Sequence, residues 1–313
     1  MNKIAKRKTV GLITIHNINN FGSALQTYAT FKMVEKLGYQ CTVINYKYPN
    51  YSNIIIPKKQ NSNFSLRNTF INPLLNFLNK RNSVHKTRIF KSFFDKNLTM
   101  TKEYSSKEEL EKSLPNFDIY LTGSDQVWNP KYCGNDTTFL LSFAPNDSKK
   151  ISYAASFGNN EIPNEFADIY KKLLFQYKYI SVRESSGVEV LKDLTNKEAK
   201  HVLDPTLLLK SSDWNKISGS IGSRKPYILC YILSYSFNPF PFAYKLVEHI
   251  KKLTGYDVVW IEGSMKNILK RGYKNVKDVG PKEFLGLFNE ASFVITSSFH
   301  GTAFSINFNK PFY

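Results

Sequence analysis

The sequence predicts an α/β protein made of two doubly wound, Rossmann-like units. Apolar strands alternate with amphipathic helices along most of the chain, the pattern of a parallel sheet covered on both faces. The alternation stops at Lys210–Lys225, a polar Gly- and Ser-containing stretch, and then restarts. The 313 residues also exceed what one hydrophobic core comfortably organises. The expected domains are therefore 1–212, with a basic helical insertion at about 57–102, and 220–313.

In the first unit TVGLITIH reads as a buried strand, and GSALQTYATFKMVEKLG (22–38) as a helix closed by Gly38. CTVINY is the next strand, Lys107–Ser113 a helix, and FDIYLTG a strand buried on both faces. KISYAASFG is a strand, 165–177 a helix, YISVRE a strand, 186–194 a helix, and HVLDPTLLL closes the unit. The second unit reads as strand PYILCYIL, helix 242–253, strand YDVVWIEG, helix 281–289, strand FVITSS, and a helix from His300. The last residues, NKPFY, read as the opening of another strand, so further chain is expected beyond them.

The formal net charge is +18, which suits acidic partners. The 30 asparagines beside the many lysines equally suit an AT-rich coding bias. No zinc-finger spacing, RNP strand or basic zipper is present, so nucleic acid is not an expected partner. No apolar run approaches a membrane span, and VGLITI is too short for a signal peptide's apolar region, so a cytoplasmic protein is expected. Cys41, Cys133 and Cys230 are too few and too scattered for a disulfide framework or a zinc site. Between Pro57 and Lys102 ten Lys/Arg face one acid, Asp95. The amphipathic segments FINPLLNFL and RIFKSFF lie within that stretch. It reads either as a helical pair covering the sheet edge or as a surface for weak contact with anionic membrane.

Ligands of parallel α/β sheets bind at the carboxyl ends of the strands, which confines the search for chemistry to those junctions. After the first strand, Asn20, Gly22 and Ser23 offer amides and backbone N–H groups to a hydroxyl-rich or anionic ligand, or serve as an ordinary helix cap. LTGSDQVWNP runs from a buried strand into Asp125, Gln126, Trp128 and Asn129. Such a set can hold a sugar, with the ring stacked on Trp128 and Asp125 as a general base. Arg183 at the end of YISV either binds an anion or pairs with Glu184 or Glu189. His300 opens the last helix beside Ser297, Ser298, Gly301 and Thr302, where it can meet a phosphate or move a proton. His16 lies near the first junction and is a further possibility, whereas His85, His201 and His249 show no metal spacing.

With these residues in place the chain resembles the polysaccharide pyruvyl transferase family. The matching pieces are NNFGSALQTYA, GSDQVWNP, SYAASFG, SVRESSG, HVLDPTLLL and TSSFHGTAFS, in order from about residue 9 onward. The resemblance implies two Rossmann-like domains in a GT-B-like arrangement with the site in the cleft between them. It implies phosphoenolpyruvate as donor, no cofactor or metal, and transfer of pyruvate as a ketal onto a sugar. The acceptor would be a surface polysaccharide or its lipid-linked oligosaccharide precursor, which would bring the enzyme to the inner face of the membrane. By position, Arg183, Ser297, Ser298, His300, Gly301 and Thr302 would bind the donor, in the C-terminal domain for the most part. Asn20, Gly22, Ser23, Gln26, Gln126, Trp128 and Asn129 would bind the acceptor, in the N-terminal domain, with Asp125, Arg183 and His300 catalytic. Many family members carry Arg where this chain has Ser298. Here Ser297, Ser298 and the amides of Gly301 and Thr302 would supply part of that clamp. The alternative is a GT-B-type glycosyltransferase using a nucleotide sugar, and a non-enzymatic carbohydrate- or membrane-binding scaffold is the third reading.

Overall fold

The structure is a computed structural model describing residues 7–47, 72–223, 225–234, 237–263, 268 and 271–313, with side chains from residue 84 onward in the helix that starts at Asn72. The chain divides into two compact units, one of residues 1–76 and 94–208, the other of 77–93 and 209–313. The part of the expected basic insertion from Pro57 to Ile71 lies outside the described residues.

The first unit is built on β1 (Thr9–Ile13), β2 (Gln40–Val43), β3 (Ile119–Thr122) and β4 (Lys150–Ser152), all parallel in the order β2-β1-β3-β4. Bridges Ile151–Tyr179 and Ala155–Val182 carry the sheet on to the paired strands β5 (Ser181–Val182) and β6 (Lys200–His201). Helix α1 (Phe21–Lys36) follows β1 and is buried along most of its length, from Phe21 through Phe31. It stops where Gly38 adopts φ +88°, a left-handed conformation that glycine takes without the cost of a Cβ. Strand order reverses at β1, with β2 on one side and β3 on the other. The loops leaving β1 and β3 therefore diverge at a topological switch point.

Several strands are shorter than their apolar runs. TVGLITIH is a continuous strand only through Ile13, and KISYAASFG only through Ser152, with isolated bridges further on at Ala155. The residues beyond bend because side chains capture their backbone groups. Gln26 Nε2 donates to Ile15 O, and Ser124 Oγ, 3.0 Å from Ala154 O, shares its one proton between that carbonyl and Asp204 Oδ2.

The second unit holds β7 (Tyr227–Tyr231), β8 (Asp257–Ile261), β9 (Lys274–Val276) and β10 (Phe293–Thr296), parallel in the order β10-β7-β8-β9. Strand β9 was not anticipated, because its three edge residues KNV carry no apolar run. The terminal NKPFY lies along β10: the Val294 and Thr296 N–H groups donate to Pro311 O and Tyr313 O, and the Tyr313 N–H donates to Val294 O. The polar stretch after Lys210 is docked onto this unit. Trp214 is buried against Phe304, and Ser220, Ile221 and Ser223 donate to the Glu290 carboxylate.

The helix Asn72–Asn97 carries the described part of the basic stretch. Phe90, Phe93 and Phe94 of RIFKSFF are buried, so these rings are covered by protein. Lys86 pairs with Glu262 and lies over the Phe90 ring. An amphipathic stripe looks the same in sequence whether protein or lipid covers it.

Candidate functional site

The carboxyl edge of the first sheet gathers polar residues from four junctions. Asn20 caps α1 by accepting from the Ser23 N–H at 3.0 Å. That leaves the Ser23 hydroxyl directed across the edge, where Oγ donates to Asp125 Oδ2 at 2.7 Å. Gly22 is buried at the same helix start. Gln26, one turn on, is wholly buried and acts as a strut. Its Nε2 donates to Thr14 Oγ1 at 2.9 Å and its Oε1 accepts from the Ser124 N–H at 3.1 Å, tying the β1 loop to the β3 loop. Gln26 is thus occupied inside the protein and does not face an acceptor.

Asp125 sits at φ +74°, in the left-handed region, which turns its side chain off the line of β3. Its Oδ1 accepts from the Gln126 N–H at 3.0 Å and lies 3.7 Å from Arg183 Nη1. Arg183, at the end of β5, also donates from Nη1 to Asp204 Oδ2 at 3.2 Å. Asp204 follows β6 and was not among the expected site residues. Burial alone would lower the Arg183 pKa, but Asp125, Asp204 and Glu184 around it more than compensate and hold the pKa above its ordinary value. Glu184 Oε1 itself accepts from the backbone N–H groups of Phe157 and Gly158.

The amides beside Asp125 bond to one another. Asn129 Nδ2 donates to Gln126 Oε1 at 2.6 Å, and Asn159 Nδ2 donates to Asn129 Oδ1 at 3.0 Å. Trp128 corrects the sequence reading outright. Its relative exposure is 0%, it packs against Phe157 and Tyr177, and its indole N–H donates to Phe139 O. No ring face remains for a sugar to stack on, because the loop that exposes Asp125 folds the next aromatic residue back into the core. His16 is likewise internal. Its ring nitrogens lie 3.0 Å from Thr14 O and 3.2 Å from Asn45 Oδ1, and burial lowers its pKa.

In the second unit, α2 (Phe299–Asn307) starts at the carboxyl end of β10. Ser298 caps it, its Oγ accepting from the Gly301 N–H, while its carbonyl accepts from the Thr302 N–H. The Ser297 hydroxyl ties β10 to the loop after β7, donating to Leu233 O and accepting from Leu233 N, both at 2.8 Å. Both serine hydroxyls are therefore engaged within the unit. A Cβ on Gly301 would come within 2.2 Å of Thr296 Oγ1, so glycine there lets the helix start press against β10. His300 is on the first turn, 9% exposed, with its ring edge-on to Phe299.

Of the expected residues, the structure brings together Ser23, Asp125 and Arg183 in the first unit, and Ser297 to Thr302 in the second. Asp204 and Ser124 complete the first group. The signal for Asp204 was the Asp-Pro of HVLDPT, where Asp caps a turn that proline opens. Its reach to Arg183 has no sequence signature.

A family model described as polysaccharide pyruvyl transferase matches residues 20–313. No curated protein matches the chain. Among solved structures, a UDP-N-acetylglucosamine 2-epimerase described as putative, from Listeria monocytogenes, aligns at TM-score 0.54 and 10% identity, covering 98% of this chain and 78% of that one. An S. aureus MnaA–UDP structure aligns at TM-score 0.54 and 10% identity, covering 97% and 78%. An alpha-glucosyltransferase in complex with UDP aligns at TM-score 0.54 and 9% identity, covering 98% and 80%. At such identity these likenesses show the fold: α/β, with Rossmann-like domains of the GT-B class. Among the described residues no helix is long and apolar enough to cross a membrane.

Proposed function

The chain belongs to the polysaccharide pyruvyl transferase family, and on that premise we propose that it transfers pyruvate from phosphoenolpyruvate, as a cyclic ketal, onto two hydroxyls of one sugar. The acceptor is a surface polysaccharide or its lipid-linked precursor. The observation that carries the reading is Asp125, a carboxylate on a carboxyl-edge loop with Ser23 and Arg183 as its side-chain partners.

The enol methylene of the donor takes up a proton and its central carbon becomes electrophilic. One sugar hydroxyl adds to that carbon while Asp125 takes the hydroxyl proton. The bond from carbon to the phosphate oxygen then breaks, inorganic phosphate departs, and the second hydroxyl closes the ketal. The protons given up by the two hydroxyls balance the one on the new methyl group and the one leaving with phosphate. The donor's carboxylate and phosphate call for positive potential. In the first unit Arg183 offers a cation; the second unit, taken by itself, offers the amino end of the helix carrying His300. The net charge of +18 favours the same anions at longer range.

The experiment is a thermal-shift comparison followed by a phosphate-release assay. Phosphoenolpyruvate is expected to raise the unfolding midpoint and UDP is not, because only a ligand that binds the native state stabilises it. Phosphate release is expected with acceptors that carry two neighbouring hydroxyls. Stabilisation by UDP alone would replace this reading with a nucleotide-sugar glycosyltransferase.

A further inference from the structure

Arg183 is held by two aspartates that are not equivalent. The Asp204 side chain has no exposed surface, and four donors converge on it. Oδ2 accepts from Arg183 Nη1 at 3.2 Å and from Ser124 Oγ at 3.0 Å. Oδ1 accepts from the Thr206 N–H at 2.9 Å and from Thr206 Oγ at 2.7 Å. The Asp125 side chain is 17% exposed, and its Oδ1 lies 3.7 Å from the same Nη1, within Coulombic range but beyond hydrogen-bond distance. Moving Asp204 would strand buried donors, whereas Asp125 has no hydrogen bond to Arg183 to lose: its bonds come from Ser23 Oγ on Oδ2 and from the Gln126 N–H on Oδ1.

We infer that Asp204 is the positioning residue of this site: it anchors the Arg183 guanidinium, and Asp125 is the exchangeable partner that an incoming anion displaces. The charges favour such an exchange. One guanidinium beside Asp125, Asp204 and Glu184 carries a net charge of −2, which disfavours an anion. Asp204 is fixed by its buried donors and Glu184 by the Phe157 and Gly158 N–H groups, which leaves Asp125 to yield. Asp125 is the one free to leave. Its departure from Arg183 uncovers the base as the anion binds, so hydroxyl activation follows donor binding. The exchange itself asks only for an anion, and it depends on the proposed function solely in taking that anion to be the donor's.

The test is calorimetric titration of the full chain with inorganic phosphate at low ionic strength. Asp125→Asn removes the competitor and is expected to tighten phosphate binding by about fivefold or more. That gain is expected to vanish when Arg183→Met is added. Asp204→Asn keeps the shape and also removes a negative charge, yet is expected to weaken phosphate binding by about fivefold, because the guanidinium loses its anchor. A purely structural residue would not reverse the sign between the two Asp→Asn variants. Unchanged or weaker binding in Asp125→Asn overturns the exchange. Tightening in Asp204→Asn overturns the anchoring role and leaves a plain charge effect. Should Asp204→Asn fail to fold, the arms at the part-exposed Asp125 and Arg183 still decide the exchange. A parallel titration with phosphoenolpyruvate separates the two conclusions: phosphate behaving as stated while phosphoenolpyruvate does not bind would sink the proposed donor and leave the exchange standing.

Discussion

Ser23 Oγ donates to Asp125 Oδ2 at 2.7 Å, joining residues 102 positions apart in the chain. The contact exists because β1 and β3 are neighbours in a parallel sheet, with Leu12 opposite Leu121 and Ile13 opposite Thr122. The helix start after β1 and the turn after β3 consequently share one carboxyl edge. A residue that caps nothing in its own loop thereby becomes a partner of the candidate base.

Asp125→Asn is expected to reduce turnover by about 10²-fold or more, since the amide keeps the shape but cannot accept a proton. Steady-state rates at saturating donor and acceptor check this. An undiminished rate would assign proton removal elsewhere.

His300→Asn is expected to lower turnover by about 10²-fold if the ring acts on the donor or moves a proton. His300 is largely buried, so a modest drop in the unfolding midpoint is also expected. Parallel measurement of kcat and melting separates the two effects, and a destabilised but fully active variant would remove His300 from the chemistry.

Trp128→Phe is expected to cost about 1–3 kcal/mol of stability, from lost packing and the lost indole hydrogen bond to Phe139 O, which keeps its Thr122 Oγ1 donor, with the acceptor KM unchanged. Denaturant unfolding and acceptor kinetics read the two quantities. A raised acceptor KM at unchanged stability would restore a ligand-stacking role to the ring.

His16 links stability to pH. Burial lowers its pKa in the folded protein, so the unfolded chain takes up the proton first as pH falls. This contribution is fully present above about pH 6.5, the ordinary histidine value, and is lost on acidification below it, by at most about 1.4 kcal/mol per pH unit. His16→Asn is expected to flatten the pH dependence of the denaturant midpoint between about pH 7 and pH 5, the window below that ordinary value. An identical slope in both proteins would show that another group governs it.

Much of the architecture was legible. Runs such as IYLT and YILCY are almost wholly apolar and are buried on every residue because parallel strands are covered on both faces. The helices between them carry helical spacing and recognisable ends, Gly38 after α1 among them. The site was legible in part: Ser23, Asp125 and Arg183 were picked out by their place at strand ends. Trp128 was misread because its burial depends on how the loop after Asp125 folds back. RIFKSFF left two readings open because an apolar stripe does not say what covers it.

The sequence by itself determined the alternation of strands and helices and which junctions carry polar residues, since local periodicity and composition record both, and its ordered motifs carry the resemblance to the family. Only the tertiary structure decided that Asp204 reaches Arg183, that Gln26 and Trp128 face inward, and that the phenylalanines of RIFKSFF are buried. Those outcomes depend on strand order and on hydrogen bonds between residues far apart in the chain, such as Ser124 Oγ to Asp204 Oδ2 across 80 positions. A hydrogen bond of that kind forms only once the sheet has placed its ends together, and no local pattern encodes it.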